Sequence, residues 1–243
     1  MLLYNGFAYL YDSLMTNIPY HIWADYIDNV LVSHLGANRA NNIILDMACG
    51  TGNITIPLAK LGYDMIGVDI SVDMLAQAQA KLDRERVLFL AQDMRKLDLY
   101  GTINAAICTC DSLNYILNET DLETVFRRVK MFLNPGGTFI FDMKTEYTFK
   151  EILGKNTFIA EAGDVSYEWN NHFDQKTGIN EYRVKFMQST NESFIEVHHQ
   201  KAYEVETVHD LLKTTGFATV SINDGYSADM YTSKSMRVVF VAS

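Results

Sequence analysis

The residues best suited to bind a reactive ligand surround a short glycine loop, Gly50-Thr51-Gly52, which follows a predicted apolar strand at residues 43–47. Glycines at such a position let the backbone turn tightly and approach a ligand that a Cβ atom would hold away. A dinucleotide-binding loop needs a third glycine three residues after the second, where this chain has Thr55. Asp46, just before the loop, would also repel a phosphate. The loop therefore predicts a ligand without a pyrophosphate.

Two more acidic residues stand where the next two predicted strands end. Asp69 ends the segment at residues 66–69, and Asp93 lies in Gln92-Asp93-Met94 after the third strand. A carboxylate at the first position can accept hydrogen bonds from both hydroxyls of a ribose. A carboxylate and a backbone amide at the second position can meet an adenine edge. These features, with Asp46 as a partner for cations, predict a site for S-adenosylmethionine, which carries an ammonium, a sulfonium and no phosphate.

The elements that must position these residues alternate between short apolar strands and amphipathic helices. The pattern predicts strands at residues 43–47, 65–69, 87–92, 103–108, 138–143, 217–222 and 236–241. It predicts helices at residues 53–61, 72–82, 120–133 and 206–215. Apolar strands separated by helices indicate a parallel sheet covered on both faces. The expected fold class is therefore α/β, a Rossmann-like, doubly wound, mostly parallel seven-stranded sheet whose last strand is antiparallel.

Two segments depart from that alternation. Residues 1–36 carry aromatic side chains at helical spacing, which predicts an N-terminal helical cap. Residues 155–205 alternate in polarity and contain turn sequences at 174–178 and 189–192, which predicts a small three-stranded antiparallel β insertion. Because no linker or repeat separates these segments from the rest, residues 1–243 are expected to form a single domain.

The motifs, taken in chain order, resemble those of class I S-adenosylmethionine-dependent methyltransferases. They lie at residues 45–52, 68–71, 92–94 and 133–137. The amino-terminal pattern of Tyr4, Phe7, Ala8, Tyr11 and Asp12 resembles that of small bacterial methyltransferases. Ala48, at a position where glycine usually stands, resembles the glycine N-methyltransferase branch. The resemblance covers nearly the whole chain.

This resemblance implies which residues contact the cofactor. They are Tyr4, Tyr11, Trp23, Asp46, Ala48, Cys49, Gly50, Gly52, Asp69, Ile70, Gln92, Asp93, Met94 and Thr109. Asp46 and the loop would hold the methionine part, and Asp69 the ribose. Asp93 and the Met94 amide would hold the adenine, and Thr109 would lie beside the methyl donor. The three aromatic residues are candidates to close over the cofactor, since aromatic faces suit a cation.

Methyl transfer is an in-line displacement, so positioning and desolvation can supply most of the catalysis. The candidates for the catalytic side are Asp111, Asn114, Tyr115 and Lys144. The first three follow the predicted fourth strand, at the edge where ligands of such folds bind, and could help an amine acceptor to lose a proton. The resemblance implies that Lys144 binds a substrate carboxylate, although lysine lacks the fork of arginine. Further candidates to line the acceptor side are Trp169, Arg183 and Tyr203.

The charge composition limits the classes of molecule that can be the methyl acceptor. With 20 Lys and Arg against 30 Asp and Glu, the net charge is -10, which is opposite to the basic stripe of a nucleic-acid-binding protein. Residues 111–115 also lack the Pro-Pro-aromatic motif of amino-group nucleic-acid methylases. We therefore expect a small-molecule acceptor with a nitrogen, oxygen or sulfur nucleophile, no nucleic-acid or membrane partner, a cytoplasmic location, and a monomer or homodimer.

No metal site is expected, since the three cysteines lack zinc-like spacing and the adjacent His198 and His199 must point to opposite faces of a strand. Two alternative functions use the same fold. A NAD-dependent oxidoreductase is disfavoured by Thr55 and Asp46. A non-catalytic S-adenosylmethionine-binding protein would keep the pocket and transfer no methyl group.

Overall fold

The computed structural model describes residues 8–154, 156–162, 165–188 and 193–243 of the chain. Tyr4 and Phe7 of the amino-terminal aromatic pattern lie outside these residues. Across the described ranges, no helix combines the length and the apolar character that a membrane span requires.

Helices and strands alternate through most of the chain, as the sequence pattern predicts. The helices are α1 (Ala8–Leu14), α2 (Tyr20–Leu35), α3 (Thr55–Lys60), α4 (Val72–Ala80), α5 (Glu119–Phe132) and α6 (Val205–Thr214). The strands are β1 (Ile43–Met47), β2 (Asp64–Asp69), β3 (Val87–Ala91), β4 (Ile103–Cys108), β5 (Leu133–Lys144), β6 (Thr157–Ala162), β7 (Val165–Asp174), β8 (Ile179–Gln188), β9 (Ser193–Lys201), β10 (Val220–Asp224) and β11 (Arg237–Ala242).

Seven strands form the central sheet in the order β10-β11-β5-β4-β1-β2-β3. Strands β1 to β5 run parallel to one another. Strand β11 lies antiparallel to both β5 and β10. The prediction of a doubly wound sheet with an antiparallel last strand is therefore confirmed. Because the strand order reverses between β1 and β4, a crevice for a ligand is expected at their carboxyl ends.

Neighbouring residues of the central strands pack against different layers of helices. Ile44 belongs to an apolar cluster with residues of α2 and α3, whereas Leu45 belongs to a cluster with residues of α5 and α6. Both side chains are fully buried. Burial of a side chain of this size stabilises the fold by roughly 1.5–3 kcal/mol. The central sheet is thus held from both faces, and its strand ends are fixed in space.

The segment of alternating polarity forms a second sheet of four antiparallel strands, in the order β6-β7-β8-β9. The prediction of three strands is therefore wrong. The missed strand is β6, which pairs with β7 from Thr157↔Asn170 to Ala162↔Val165. The signal for this hairpin is Gly163-Asp164 in the sequence between the two strands, a pair typical of two-residue turns.

Strand β9 carries polar side chains toward the central sheet. Glu196, His198 and Gln200 are buried, whereas His199 is exposed on the other face. The prediction that the two adjacent histidines point to opposite faces is confirmed. The buried face of β9 contacts the 3-10 helix Ser112–Tyr115, which directly follows β4. The second sheet therefore lies next to the predicted acceptor side.

Candidate active site

The glycine loop leaves β1 through three residues in the left-handed conformation. The φ angles are 53° at Ala48, 53° at Gly50 and 78° at Gly52. The Gly50 amide donates to Oδ2 of Asp69 at 2.8 Å, so the loop is held against the end of β2. Left-handed residues and this bond bring the loop and the first predicted ribose carboxylate together.

The two glycines serve different purposes. A Cβ atom at Gly50 would meet no atom within 4 Å, so this part of the loop borders open space. At Gly52, a Cβ atom would lie 3.2 Å from Ile56 and 3.3 Å from Ala78. Gly52 therefore packs closely against α3 and α4, and its contact with the cofactor stays a prediction. Gly50 is the glycine that borders open space.

Asp46 is a buried carboxylate with one unpaired oxygen. Its Oδ2 accepts a hydrogen bond from the Thr55 hydroxyl at 2.5 Å. Among the described residues, no donor reaches Oδ1. Burial raises the pKa of Asp46 to about 7. Thr55 thus holds the Asp46 carboxylate, a role that the sequence does not reveal. The unpaired Oδ1 fits an incoming cation such as the ammonium of the cofactor.

Asp69 accepts two backbone hydrogen bonds, from Gly50 and from Ser71, each at 2.8 Å. Burial raises its pKa, although both amides oppose the shift. Each carboxylate oxygen has a further lone pair, so the group can still accept from two ribose hydroxyls. The next residue, Ile70, is 53% exposed and offers an apolar surface beside this position.

The residues after β3 divide into two groups. Asp93 accepts from Arg95, with an Nη2–Oδ2 distance of 2.5 Å, and this partner lowers its pKa. Met94 is partly buried and packs against the core. The Gln92 amide, in contrast, bonds in both directions with the backbone of Asp98, at 3.0 and 2.9 Å. Its side chain closes a loop, and its contact with the cofactor stays a prediction.

Two smaller predicted contacts lie at the ends of the central strands. Cys49 follows β1 and Thr109 follows β4, and both side chains are buried. The Thr109 carbonyl accepts from the Ser112 hydroxyl at 2.7 Å, which shapes the turn after β4. Because β1 and β4 are neighbours, these two residues border the same crevice.

Helix α1 is tied to the glycine loop by Asp12. This carboxylate accepts from the Thr51 hydroxyl at 2.7 Å, from the Asn53 amide at 2.8 Å and from the Lys81 ammonium at 2.9 Å. Tyr11, the neighbour of Asp12, is thereby held near the loop. Tyr4, which is also predicted to cover the cofactor, lies outside the described residues.

Tyr20 is a neighbour of the site that the sequence does not single out. Its hydroxyl lies near Tyr11, Asn53 and Cys110, and burial raises its pKa. The signal for it was its place directly after Pro19, at the start of a helix. Trp23, by contrast, stacks on Tyr226 at 4.4 Å and lies 5.1 Å from the Arg237 guanidinium. Its ring packs against these two residues, and its role as a cofactor cover stays a prediction.

A closed network of charges occupies the acceptor side. Asp111 accepts from Arg237 at 2.7 Å, from Lys144 at 2.9 Å and from Gln200 at 2.7 Å. Arg237 also donates to Asp142 at 2.5 Å. Burial opposes the ionisation of Asp111, but the two cations prevail and lower its pKa to about 2. So acidic a group is a poor general base, and a catalytic role of Asp111 stays a prediction.

Asp142 fixes the turn in which Asp111 sits. It accepts from the backbone amides of Cys110 at 3.0 Å and Asp111 at 2.5 Å, and from the hydroxyl of Tyr226. Cys110 and Asp111 have φ angles of 59° and 52°, which are unfavourable for residues with a Cβ atom. Neither Asp142 nor Arg237 is among the predicted site residues, although each is a charge within a buried apolar strand.

Two more predicted catalytic residues have structural partners. Asn114 is fully buried and donates to the carbonyls of Lys144 at 3.2 Å and Lys201 at 2.8 Å, and it accepts from the Lys144 amide at 3.0 Å. Asn114 therefore joins β5 to β9 and has no amide group left for a substrate. The ammonium of Lys144 is paired with Asp111, so it offers no unpaired cation to a substrate carboxylate.

The fourth predicted catalytic residue, Tyr115, lies outside the ion network, and its hydroxyl belongs to a cluster of tyrosine and histidine side chains. It lies 3.0 Å from the Tyr182 hydroxyl and 3.1 Å from Nδ1 of His198. Trp169 packs edge-on against Tyr182, with ring centroids 5.5 Å apart. The other insertion candidates lie elsewhere, because Arg183 is exposed and the Tyr203 hydroxyl donates to a backbone carbonyl in the core.

The strand order, the glycine loop and the acidic strand ends together define a class I methyltransferase fold. Residues 44–137 match the family described as a methyltransferase domain. The Bacillus subtilis protein YqeM, whose name describes it as a methyltransferase, is 33% identical over 99% of this chain and 97% of its own length. The chain belongs to the S-adenosylmethionine-dependent methyltransferases, and S-adenosylmethionine is its cofactor.

Two further proteins extend this comparison. An S-adenosylmethionine-dependent methyltransferase from Clostridium acetobutylicum has a similar structure, with a TM-score of 0.88, 30% sequence identity and coverage of 98% of both chains. The glycine/sarcosine N-methyltransferase of Halorhodospira halochloris is 35% identical over 45% of this chain and 41% of that protein. The predicted resemblance to class I methyltransferases is confirmed.

Proposed function

We propose that this enzyme transfers a methyl group to a nitrogen, oxygen or sulfur nucleophile of a small molecule. The observation that carries the proposal is the close contact of the second sheet with the acceptor side. Asn114 donates to the Lys201 carbonyl at 2.8 Å, and Gln200 donates to Asp111 at 2.7 Å. An acceptor side covered in this way suits a small molecule better than a polymer. The net charge of -10 also disfavours a polyphosphate.

We assign the cofactor to the open side of the glycine loop. In this assignment Asp46 faces the ammonium, Gly50 borders the methionine part and Asp69 accepts from the ribose hydroxyls. The unpaired buried oxygen of Asp46 supports it, since an incoming cation would supply the missing donor. Adenine would then lie between Ile70 and Asp93. We also propose that residues 1–36 form the cap of a single domain and residues 155–205 its acceptor-side insertion.

The cofactor supplies a methyl group activated by a sulfonium, which a nucleophile displaces in line. For the chain itself, the task is to orient the two reactants and to exclude water. Asp12 holds α1 against the loop, which keeps Tyr11 near the loop, and the Tyr20 hydroxyl lies close to Tyr11. The network around Asp111 fixes the turn after β4, so the residues that follow are held in place.

A methyl-transfer screen tests this proposal. The protein is incubated with radiolabelled S-adenosylmethionine and with panels of amines, carboxylates, phenols, thiols, tRNA and DNA. Calorimetry with S-adenosylhomocysteine and NADH is run in parallel. We expect S-adenosylhomocysteine to bind and a small molecule to be methylated. Transfer confined to nucleic acid, or cofactor binding with no transfer to any acceptor, would contradict the proposal.

A further inference from the structure

A chain of hydrogen bonds runs through the second sheet and ends at Tyr115. Glu196 Oε2 lies 3.1 Å from Nε2 of His198, and Nδ1 of the same ring lies 3.1 Å from the Tyr115 hydroxyl. The Tyr182 hydroxyl is 3.0 Å from that of Tyr115, and its ring stacks on His198 at 5.2 Å. Glu196 and His198 are buried, with 9% and 4% exposure. Burying an acid, an imidazole and a phenol in this order costs free energy of desolvation, so a functional use for the three groups is expected.

The chemistry of these groups fixes which group donates and which accepts in each hydrogen bond. A carboxylate can only accept, so with Glu196 ionised the His198 proton lies on Nε2. Nδ1 then accepts from the Tyr115 hydroxyl, and the Tyr182 hydroxyl donates to the Tyr115 oxygen. In this arrangement Tyr115 can release its proton to His198 whenever its own oxygen receives another. Glu196 is placed to stabilise the imidazolium that results.

The relay lies on the same side of the sheet as the methyl donor position. Tyr115 ends the 3-10 helix that follows β4, and Thr109 at the end of β4 borders the crevice. Tyr115, Tyr182 and Glu196 are titratable groups that face His198. The Lys144 ammonium lies 5.9 Å from the centre of the Tyr182 ring, which brings the relay next to the network of Asp111.

The charges around this space favour a cation. Three carboxylates, Asp111, Asp142 and Glu196, lie in two neighbouring clusters that contain two permanent cations, Lys144 and Arg237. Both cations are paired with Asp111 or Asp142, so the charge of Glu196 has no permanent counterpart in the network. A protonated amine is attracted to such a site, whereas a carboxylate is repelled.

We propose that the acceptor is an amine that arrives as an ammonium, and that Tyr115, His198 and Glu196 form the relay that removes its proton. This rests on the proposed function. The N–H bond of the acceptor breaks as its proton joins the Tyr115 oxygen, and the Tyr115 proton passes to Nδ1 of His198. The freed nitrogen lone pair forms the bond to the methyl carbon, and the electrons of the carbon–sulfur bond return to sulfur. Tyr115 is the catalytic residue, while His198 and Glu196 act through it as positioning residues.

The pH profile of methyl transfer tests the relay. Tyr115→Phe, His198→Asn and Glu196→Gln are compared with His199→Asn, which changes the exposed neighbour on the opposite face of β9. General-base catalysis typically contributes about 10²–10⁴-fold, so Tyr115→Phe should lose about that factor in kcat at pH 7. The loss should shrink as the pH rises, because the amine then loses its proton to water. Affinity for S-adenosylhomocysteine should stay unchanged in all four variants.

The outcomes separate this inference from the proposed function. Failure to bind S-adenosylhomocysteine would contradict the proposed function itself. Transfer to hydroxyls or thiols but to no amine, or no transfer to any amine by protein that binds S-adenosylhomocysteine, would overturn the relay. A loss in Tyr115→Phe that is equal at every pH would also overturn it.

A measurement without turnover covers the case of poorly folded variants. Nitrogen-15 NMR of histidine-labelled wild-type protein at pH 7 reports which ring nitrogen of His198 carries the proton. We expect a protonated Nε2 and an unprotonated Nδ1. A proton on Nδ1 in neutral His198 would overturn the proposed direction of the relay.

Discussion

The two ends of the active site differ in how completely their buried charges are paired. At the cofactor end, Asp46 keeps one buried oxygen for which no described residue provides a donor, and Gly50 borders open space. At the acceptor end, Asp111 is saturated by Arg237, Lys144 and Gln200. A buried polar atom without a partner costs about 1–3 kcal/mol, which a ligand can remove by binding there. Among these carboxylates, the unpaired oxygen therefore marks the binding surface, and the paired charges mark the scaffold.

This difference changes the role of the acidic residues. Asp111, beside the predicted acceptor, is held ionised by two cations and shapes a turn. Asp46, just before the glycine loop, is the carboxylate that a ligand can still pair with. To recognise a ligand-binding carboxylate, the number of protein partners that it already has is thus a better guide than its distance from the predicted site.

The largest effect is expected from breaking the scaffold. Arg237→Met removes a cation that contacts both Asp111 and Asp142, and the Asp142 side chain is fully buried. Breaking a buried ion pair by removing one partner typically costs about 3–5 kcal/mol. We expect the free energy of unfolding, measured by urea denaturation, to fall by that amount. Arg183→Met on the exposed face of the second sheet should change it by less than about 0.5 kcal/mol, and equal effects would refute the scaffold role.

The binding surface should respond in affinity rather than in stability. Asp69→Ala removes the proposed acceptor for the ribose hydroxyls, so affinity for S-adenosylhomocysteine should weaken by about 1–3 kcal/mol. Asp64→Ala is the matched control, because Asp64 is an exposed carboxylate at the opposite end of the same strand. Calorimetry on the two variants gives the difference. Unchanged affinity in Asp69→Ala would place the ribose elsewhere.

The buried Asp46 carboxylate should make the stability of the protein depend on pH. Burial raises its pKa to about 7, so the folded protein holds a proton that an unfolded Asp releases near pH 4. Its contribution to stability is therefore present below pH 4 and is lost as the pH rises to about 7. Asp46→Asn should lack this decline in urea denaturation.

Ligand affinity should follow the opposite trend, because the ammonium pairs with ionised Asp46. S-adenosylhomocysteine should bind wild-type protein more tightly as the pH rises through 7, by at most about tenfold per pH unit. Asp46→Asn should lose this dependence. Parallel pH profiles in the two proteins would show that Oδ1 of Asp46 does not meet the ammonium.

The smallest effect concerns the helical cap. Asp12→Asn weakens the contacts of α1 with Thr51, Asn53 and Lys81, but the Asp12 side chain is 42% exposed. An exposed ion pair contributes about 0–1 kcal/mol, so a loss of cofactor affinity of no more than about fivefold is expected. Hydrogen exchange of α1 amides should quicken. Unaltered exchange would mean that Asp12 does not hold the cap.

The sequence predicts the cofactor end far better than the acceptor end, for a topological reason. Asp46 lies near the end of the first strand, Asp69 ends the second and Asp93 follows the third. Each strand is revealed by its own apolar pattern, and parallel strands bring their ends to one edge. The acceptor network joins residues far apart in the chain, since 126 positions separate Asp111 from Arg237 and 89 separate it from Gln200. Local periodicity carries no information on such pairings.

Local patterns also carry no information on the protein partners of single side chains. Gln92 and Trp23 stand at positions that suit a ligand, and each side chain also has a protein partner, the Asp98 backbone in one case and Tyr226 in the other. The fourth strand of the insertion was missed because only two residues, Gly163 and Asp164, separate it in the sequence from the strand that follows. Competition between a ligand and the rest of the protein for the same polar atom is settled by tertiary structure.

The most direct test of the account is the crystal structure of the complex with S-adenosylhomocysteine. We expect the ribose hydroxyls within hydrogen-bond distance of Asp69, the ammonium within reach of Oδ1 of Asp46, and the sulfur on the side of Tyr115. The ion network around Asp111 should be unchanged by the ligand. A cofactor that binds away from Asp46 and Asp69, or that takes Arg237 or Lys144 out of the network, would contradict the division into a binding surface and a paired scaffold.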